Sequence, residues 1–429
     1  MRRAAAVALV VFALAGGVGI GIVAGRTIMG TPAPSSGIAQ TSPPAGASSA
    51  APSVTPSDSG VAPSDSASPQ PTATPVPTPV LVPDPLDGVL VAPAVAQRHV
   101  VAVMIDDQQD ARPQSGLSAA SQVWQAPAEG GIPRYVALFS EGTPSAVGPI
   151  RSSRLYFIAW AAEWNAVYMH VGGSPQALAL LRSSQGRGKV VWNADEISLG
   201  DVYMWRVKTR HPPHNVYSNF KSMQLLVKAV HAPVSVNYKA HWQFAPDAPL
   251  EQRPTSGSIR VPYLANVISY AYQASSNTYL RSVTAEGKQV DAATKTRIAP
   301  KNVVVIFMRF APLNDAKHRL EAQFTGSGKA WVFTNGTLVK GTWKKASMTA
   351  PTLLFGPGGG PVTLTVGQTF VQVVDLGTNV TYKLGKVPAA GAPSPSPSDQ
   401  PWPSPSPSPS PVGDVPAPPT LVADRRLVL

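Results

Sequence analysis

The sequence predicts an α/β N-terminal domain plus a β-rich C-terminal domain, flanked by disordered Pro/Ser-rich tethers and preceded by an N-terminal transmembrane helix. Three features of the 429-residue chain lead to this prediction. The chain begins with an uncharged apolar run, and two segments are rich in proline and serine. Between these segments, residues 98–390 contain apolar runs at strand and helix spacing. That segment is long enough for two domains with sizeable cores.

Residues 1–30 are predicted to form a membrane anchor. Arg2 and Arg3 precede an uncharged run of 22 residues, Ala4–Gly25, and a helix of that length spans about 33 Å, close to the thickness of a hydrocarbon core. A cleaved signal peptide has a shorter apolar region, although Thr31-Pro32-Ala33 leaves cleavage open. More positive charge precedes the run than follows it, so the N-terminus is expected in the cytoplasm. We therefore predict a single-pass protein of the cell membrane with extracytoplasmic folded domains.

Two segments are predicted to stay disordered, residues 31–97 and residues 391–429. Both are rich in Pro, Ser, Thr and Ala, and the first contains no Lys or Arg, so neither can bury enough apolar surface to offset the entropy of ordering. The chain has no cysteine. This excludes disulfides, thiolate metal sites, iron–sulfur clusters and lipid attachment through a cysteine of this chain.

Strands and helices alternate in residues 98–232, and this alternation indicates an α/β layer. Apolar runs predict strands at His99–Ile105, Arg134–Phe139 and Ala166–Val171. Helical spacing and capping residues predict helices at Leu117–Trp124 with a cap at Ser115, at Ser153–Trp164, at Pro175–Leu181, and at Ser218–Val230 with a cap at Ser218.

Residues 233–390 have a pattern that is typical of strands. They are predicted at Ile268–Tyr272, Thr278–Val283, Val303–Phe310, Val362–Val366, Thr369–Leu376 and Asn379–Leu384. Asn335-Gly336 separates the alternating runs Ala330–Thr334 and Thr337–Val339. This dipeptide predicts a hairpin with a type I′ turn, because both central residues of that turn need positive φ.

Positive charge is concentrated in the second predicted domain. Residues 231–390 contain 17 basic and 7 acidic residues, whereas residues 98–230 contain 13 and 9. A basic extracytoplasmic surface attracts anionic polymers or lipid headgroups, and a positive surface that only aids solubility is the alternative. We expect contact with the membrane through the N-terminal helix, and with an anionic cell-wall polymer or an envelope protein. The chain carries no nucleic-acid-binding motif, so nucleic acid is not an expected partner.

Candidate ligand-binding residues are concentrated in the loops of the first predicted domain, next to glycine or proline. They are Asp106, Arg112, Glu129, Arg134, Arg151, Arg154, His170, Ser174, His214 and Asn215. Loops at the carboxyl ends of strands in an α/β sheet meet in one crevice, and arginine supplies the fork-shaped donors that carboxylate or phosphate needs. Structural arginines that tie loops to Asp106 or Glu129 are the alternative.

The residues supply no recognisable catalytic, cofactor or metal motif. Ser174-Pro175 is explained as a helix N-cap followed by proline at the first helical position, and Gly-Gly-Ser-Pro-Gln around it is not a nucleophile elbow. His170, His211, His214 and Asp106 lack the paired spacing of metal ligands. We therefore predict no catalytic residue, no cofactor and no metal ligand.

The loop strings, in this order, resemble the YerB-like family of bacterial lipoproteins, whose domains are described as of unknown function. The resemblance rests on Ala111–Leu117, Glu129–Arg134, Val147–Arg154, His170–Ala177, Pro213–Asn215, Gly341–Trp343 and Val366–Thr369. It implies a membrane-tethered, outward-facing protein of two domains, and no established reaction. The chain departs from the family in lacking the lipobox cysteine, and in having Asp107 and Pro133 where asparagine and threonine are usual.

Three functions remain open on these grounds, and the third is a purely structural spacer, which would leave the loop arginines paired internally and no pocket. The first is a non-enzymatic binding or scaffolding module for an anionic or glycan ligand or a cell-wall partner protein. The alternative is a hydrolase or transferase acting on envelope polymer, with Asp106, Glu129, His170 and Arg151 as acid–base and anion-holding groups. These four side chains must then converge on one open cleft. Glu129 buried against Arg134, with His170 facing away, would contradict the alternative.

Overall fold

The computed structural model describes residues 80–183, 187–284 and 286–388. The predicted membrane anchor, residues 31–79 of the first predicted tether and the whole second tether lie outside the described residues. Within the described ranges, no helix combines the length and apolar character needed to cross a membrane.

The described residues contain 23 strands and five α-helices. The strands of the first half are β1 (Val82–Pro83), β2 (Leu90–Val91), β3 (Val101–Asp106), β4 (Gln122–Pro127), β5 (Pro133–Phe139), β6 (Val167–His170), β7 (Trp192–Asp195), β8 (Trp205–Arg206) and β9 (Val216–Tyr217). Those of the second half are β10 (Gln243–Ala245), β11 (Gly257–Pro262), β12 (Val267–Gln273), β13 (Thr278–Val283), β14 (Gly287–Lys288), β15 (Asn302–Met308), β16 (Phe310–Pro312), β17 (Leu320–Ala322), β18 (Gly326–Thr334), β19 (Thr337–Lys345), β20 (Leu353–Phe355), β21 (Thr363–Thr365), β22 (Thr369–Asp375) and β23 (Thr381–Leu384). The helices are α1 (Pro93–Ala96), α2 (Leu155–Ala162), α3 (Pro175–Arg182), α4 (Glu196–Leu199) and α5 (Phe220–Ala229).

The largest sheet of the described chain has ten strands and contains strands from both halves. Its order is β20-β19-β18-β15-β22-β4-β5-β3-β6-β7. The halves meet where β22 pairs in parallel with β4, with Thr369 opposite Gln122 and Gln372 opposite Gln125. The protein is therefore a β-rich two-domain protein with few helices, in which the two halves share one sheet.

The first half is a mixed sheet rather than a purely parallel one. Strands β3, β6 and β7 are parallel to one another, as the α/β pattern predicts. Strand β5 pairs antiparallel with β3 on one side and with β4 on the other. Helices α2 and α5 contribute to opposite cores, so this sheet is buried on both faces.

The predicted helix Leu117–Trp124 is wrong. A 3₁₀ turn occupies Leu117–Ala119 and follows Gly116 in the left-handed conformation, so Ser115 caps no α-helix. Strand β4 then begins at Gln122. Its side chains at Val123 and Trp124 lie in the two different cores. A strand buried on both faces lacks the two-residue alternation of apolar and polar side chains, so its sequence is easily mistaken for a helix.

The predicted disorder of residues 31–97 is wrong for the part that the structure describes. Strands β1 and β2 and helix α1 lie within residues 82–96. Leu86 is fully buried and joins the main core. The folded part of the chain therefore begins well before Arg98. Burial of Leu86 stabilises a turn that the amino-acid composition alone assigns to the tether.

The remaining local predictions are mostly confirmed. Ser174 caps α3 by accepting a hydrogen bond from the Ala177 amide at 3.3 Å, and Asn335 and Gly336 have the positive φ values of 50° and 73° that the hairpin requires. The predicted cap at Ser218 is wrong. Asn219 caps α5 instead, because the Ser218 hydroxyl already donates to the Tyr203 carbonyl at 2.8 Å.

The second half is a sandwich. The five-stranded sheet β14-β13-β12-β11-β23 is antiparallel throughout. Its inward side chains pack against one face of the large sheet and form a separate core with Val303, Val305 and Phe307 of β15. The alternating burial of β12 and β13 fits the period of two that predicted them.

A buried ion pair joins α2 to the second half. Glu163 follows α2 and Lys345 ends β19, and Lys345 Nζ lies 2.8 Å from Glu163 Oε1 with side chains that are 1% and 2% exposed. Thr352 donates to the same carboxylate from its backbone and its hydroxyl, at 3.1 and 2.6 Å. Burial by itself would raise the pKa of Glu163, but Lys345 and these hydrogen bonds lower the pKa below its usual value. Burial lowers the pKa of Lys345, and the charge of Glu163 and their hydrogen bond oppose that effect. The two side chains therefore favour each other's charged form.

We expect Lys345→Met to lower the free energy of unfolding by about 3–5 kcal/mol, because Glu163 would remain buried without its counter-charge. The matched control is Lys344→Met at the exposed neighbouring position, where a surface substitution changes stability by about 0.5 kcal/mol or less. Urea unfolding of the full-length chain measures both values. Equal unfolding midpoints for the two variants would contradict the role given to the pair.

Candidate functional site

Asp106 ends β3 and holds two neighbouring side chains with one oxygen atom. Its Oδ2 accepts hydrogen bonds from Arg151 Nε at 2.8 Å and from His214 Nδ1 at 2.7 Å. The Asp106 side chain is 3% exposed. The Arg151 amide donates to the carbonyl of Met104 in β3, which fixes the arginine loop beside the strand. We call Asp106, Arg151 and His214 the Asp106 centre.

The outer nitrogens of the Asp106 centre face solvent. The Arg151 and His214 side chains are 20% and 10% exposed. In the part of the chain that the structure describes, Nη1 and Nη2 of Arg151 and Nε2 of His214 have no hydrogen-bond partner, and none of them is fully buried. Burial lowers the pKa of Arg151 and Asp106 opposes that effect, and an arginine remains charged at neutral pH. The centre thus presents oriented donors to solvent.

Glu129 is surrounded by arginines, and we call this group the Glu129 clamp. Its carboxylate bonds to Arg154 Nη2, lies 3.2 Å from Arg134 Nη2 and lies 3.9 Å from Arg319 Nε. Burial lowers the pKa of Arg154 to about 10. Arg134 also donates to the Ser152 carbonyl at 3.2 Å. The clamp ties loops of the first half to Arg319 of the second. The alternative that the sequence left for Arg151 and Arg154 was a structural tie to Asp106 or Glu129, and each of the two arginines makes such a contact.

His170, Ser174 and Asn215 have internal partners. His170 is fully buried, and its ring nitrogens lie 2.8 Å from the Gly172 carbonyl and 2.8 Å from Asn193 Oδ1. Ser174 is used as the cap of α3. Asn215 Oδ1 accepts from Arg206 at 3.2 Å. The imidazole that meets Asp106 is therefore His214 and not His170.

Arg112 belongs to a buried polar seam between the halves, built around Asp107. Arg112 Nε donates to Asp107 Oδ1 at 2.9 Å and Arg112 Nη1 donates to Glu286 at 3.1 Å. Gln125 bridges the halves, since its Nε2 donates to Asp107 at 2.6 Å and its Oε1 accepts from Arg281 at 2.6 Å. Burial raises the pKa of Asp107, and the charges of Arg112 and Arg281 partly offset this.

The sequence analysis missed Gln125 and Arg281, although a signal for Arg281 exists. In β13 the side chains of Tyr279, Arg281 and Val283 alternate inward and are buried. A charged residue at an inward position of an alternating strand indicates a buried partner. No pattern in the sequence identifies that partner as Gln125, which lies in the other half.

Three carboxylates that the sequence analysis did not single out also meet in the described chain. Asp84 and Asp87 are each 1% exposed, and oxygens of Asp84, Asp87 and Glu141 lie within 4.8 Å of one another. Such oxygens suit a hard divalent cation by type, but nothing else in the described ranges points to one. Burial, with repulsion from Glu141, raises the pKa of Asp84 to about 6 and that of Asp87 to about 9.

Family models match both halves of the chain. The model described as "Protein of unknown function (DUF3048) N-terminal domain" matches residues 86–232, and the corresponding C-terminal domain matches residues 259–371. The "Putative lipoprotein YerB" of Bacillus subtilis (strain 168) is 28% identical over 272 residues, covering 61% of this chain and 78% of that protein. The chain belongs to the YerB-like family.

The fold of this YerB-like protein also agrees with a solved structure. The crystal structure of YerB from Bacillus subtilis superposes with a TM-score of 0.62 at 24% identity, covering 70% of this chain and 99% of that chain. The family models and the curated relative confirm the family resemblance drawn from the loop strings. The Asp106 centre lies entirely within the N-terminal family domain. The Glu129 clamp and the Asp107 seam each join that domain to the C-terminal one, through Arg319 and Arg281.

The raised carboxyl pKa values predict that the contribution of Asp84 and Asp87 to stability falls as the pH rises from about 4 to about 9. In the unfolded chain the carboxyl groups of Asp84 and Asp87 lose their protons near the ordinary pKa of 3.8, whereas in the folded chain they keep them to higher pH. Through these two groups, each rise in pH in this window favours unfolding. We expect Asp87→Asn to have a higher melting temperature than wild type at about pH 8, with the difference disappearing towards about pH 4.

Calorimetry of the full-length chain at several pH values checks this prediction. The matched control is Asp201→Asn, an exposed aspartate of the first half, whose difference from wild type should not change with pH. A difference between Asp87→Asn and wild type that stays constant across the pH range would contradict the raised pKa of Asp87.

Proposed function

We propose that this chain is a membrane-associated, extracytoplasmic protein of the cell envelope that binds an anionic ligand at the Asp106 centre. The relative named as a lipoprotein and the apolar N-terminal run support the location. The observation that carries the binding role is the pairing of Arg151 and His214 on one buried carboxylate oxygen, with their outer nitrogens unpartnered among the described residues.

The chemistry of the Asp106 centre favours an anion. The free edge of the Arg151 guanidinium offers two parallel N–H donors, which match a carboxylate or phosphate group. His214 adds a donor or acceptor at Nε2, because its Nδ1 proton is held by Asp106. Both side chains are held in place before binding, so little conformational entropy is lost when the ligand arrives.

The surrounding charge supports the same ligand class. The Asp106 centre pairs one arginine with one carboxylate, and the Glu129 clamp places three arginines around one carboxylate. Arg319 has a further partner in Asp315 at 2.8 Å. The remaining positive charge attracts an anionic group of an envelope polymer, a glycan or a partner protein.

The enzymatic alternative receives less support from this geometry. The four proposed groups do not converge, because Glu129 lies against Arg134 and Arg154 in the clamp, and His170 is fully buried with both nitrogens bonded inside the fold. A hydrolase or transferase built on those four residues needs their side chains to meet in one open cleft, and this arrangement does not supply that cleft. We propose binding as the function.

Isothermal titration of the full-length chain in detergent with inorganic phosphate tests the proposal. We expect Arg151→Ala to weaken binding by about 10-fold or more, because one or two charge-assisted hydrogen bonds are lost. Arg151→Lys keeps the positive charge but loses the fork-shaped pair of donors. Its phosphate affinity should therefore lie between those of wild type and Arg151→Ala.

The matched control is Arg260→Ala, because Arg260 is exposed on β11 and has no carboxylate within 4 Å among the described residues. Its phosphate affinity should equal that of wild type. Equal weakening by Arg260→Ala and Arg151→Ala, or no phosphate binding by the wild-type protein, would contradict the proposal.

A further inference from the structure

One face of the large sheet carries exposed lysines above aromatic rings. Lys329 lies on β18, and Lys340 and Lys344 lie on β19. In the ladder between these strands Lys340 pairs with Trp331 and Lys344 pairs with Ser327, and directly opposite residues of an antiparallel pair share a face. We call Lys329, Lys340, Lys344 and Trp331 the lysine face.

Each lysine of this face lies over an aromatic ring. Lys329 Nζ is 3.7 Å from the ring centroid of Phe307. Lys340 Nζ lies 5.7 Å from Trp331 and 5.6 Å from Tyr382, and Lys344 Nζ lies 4.9 Å from Phe355. The rings come from four different strands, so the packed sheet fixes where the three charges stand. Cation–π contacts of this kind hold an ammonium in place without neutralising it.

The charges of the lysine face are unpaired. All three lysines are exposed, and in the described part of the chain no carboxylate lies within 4 Å of any of their ammonium groups. They belong to a half of the chain with 17 basic and 7 acidic residues. The five-stranded sheet covers part of this face, and Trp331 packs against its Tyr382. Three fixed and uncompensated positive charges on the exposed margin of the face form a surface for an anionic partner.

We propose that the lysine face binds a linear polymer with repeated phosphate groups. Lys340 and Lys344 are four residues apart on one strand, which separates them by about 13 Å, and Lys329 lies on the neighbouring strand between them. A chain-like polyanion can therefore contact all three charges at once. This inference does not rest on the Asp106 centre, since β19 and β3 are six strands apart in the sheet, about 29 Å at the usual strand spacing.

The same face is less suited to a bilayer. Binding to a membrane surface buries apolar side chains among the headgroups. The large apolar side chains that are exposed in the described ranges, among them Leu250, Leu264 and Leu376, lie outside strands β18, β19 and β20. Trp331 is only partly exposed and packs edge-on against Tyr382. A charged surface that has no exposed large apolar side chain to insert among lipid headgroups favours a polymer as its partner.

Single-stranded nucleic acid is also a poorer fit. Its sequence-tolerant binding depends on open aromatic faces for base stacking. On the lysine face Trp331 lies between two lysine ammoniums, 5.2 and 5.7 Å from its ring centroid. Stacking a base on this ring would require both lysines to move.

The test is a titration of the full-length chain in detergent with inorganic polyphosphate of defined length, at several salt concentrations. We expect the triple variant Lys329→Gln, Lys340→Gln, Lys344→Gln to bind at least about 10-fold more weakly, with a shallower dependence of log K on log salt. The triple Lys-to-Arg variant at the same positions should retain binding, which separates lost charge from lost folding.

The matched control is the triple variant Lys221→Gln, Lys228→Gln, Lys239→Gln, which removes the same charge from exposed positions outside the face. Its polyphosphate affinity should stay within about twofold of wild type. Equal weakening by both lysine triples would show an effect of net charge alone and would overturn the proposal. Tighter binding of single-stranded DNA, or lysine-dependent binding to anionic vesicles in preference to polyphosphate, would also overturn it.

Discussion

The structure depends on the parallel pairing of β22 with β4, which makes one sheet out of the two family domains. The residues in this ladder are buried, and several are polar, including Gln122, Gln125, Thr369 and Gln372. A buried amide must find hydrogen-bond partners, and Gln125 finds them in Asp107 and Arg281 on either side of the join. A shift in register would separate Gln125 from these two partners, at a cost of about 1–3 kcal/mol for each buried group left unpaired. The polar seam therefore defines how the domains meet, while the apolar cores supply most of the stability.

The end of β3 links this seam to the candidate site. Successive residues of an extended chain point to opposite sides, and the consecutive carboxylates Asp106 and Asp107 take different roles there. Asp106 accepts from Arg151 and His214 close to the surface. Asp107 accepts from Gln125 in the interior. Anything that displaces the seam would thus move the strand end that orients the anion-binding side chains, so the geometry of the site rests on the contact between the domains.

Local features of the fold could be predicted from the sequence, and long-range ones could not. The Asn335-Gly336 turn and the Ser174 cap are decided by a few neighbouring residues, and both are confirmed. Strand β4 was missed because burial on both faces removes its periodicity. The pairing of β22 with β4 joins segments from opposite ends of the described chain, and no local pattern encodes it. Likewise His170 and His214 both sit beside glycine or proline turns, and only the tertiary structure shows which imidazole reaches Asp106.

The central claim is that the two domains form one cooperative unit through their shared sheet. Hydrogen exchange of the full-length chain, followed by mass spectrometry, tests it most directly, because amides that exchange only through global opening share one free energy. If the two domains open as one unit, peptides from β4 and β5 in the first half and from β15 and β22 in the second are equally protected. Protection that differs by orders of magnitude between these two pairs of strands would show that the halves open independently, and would contradict the account.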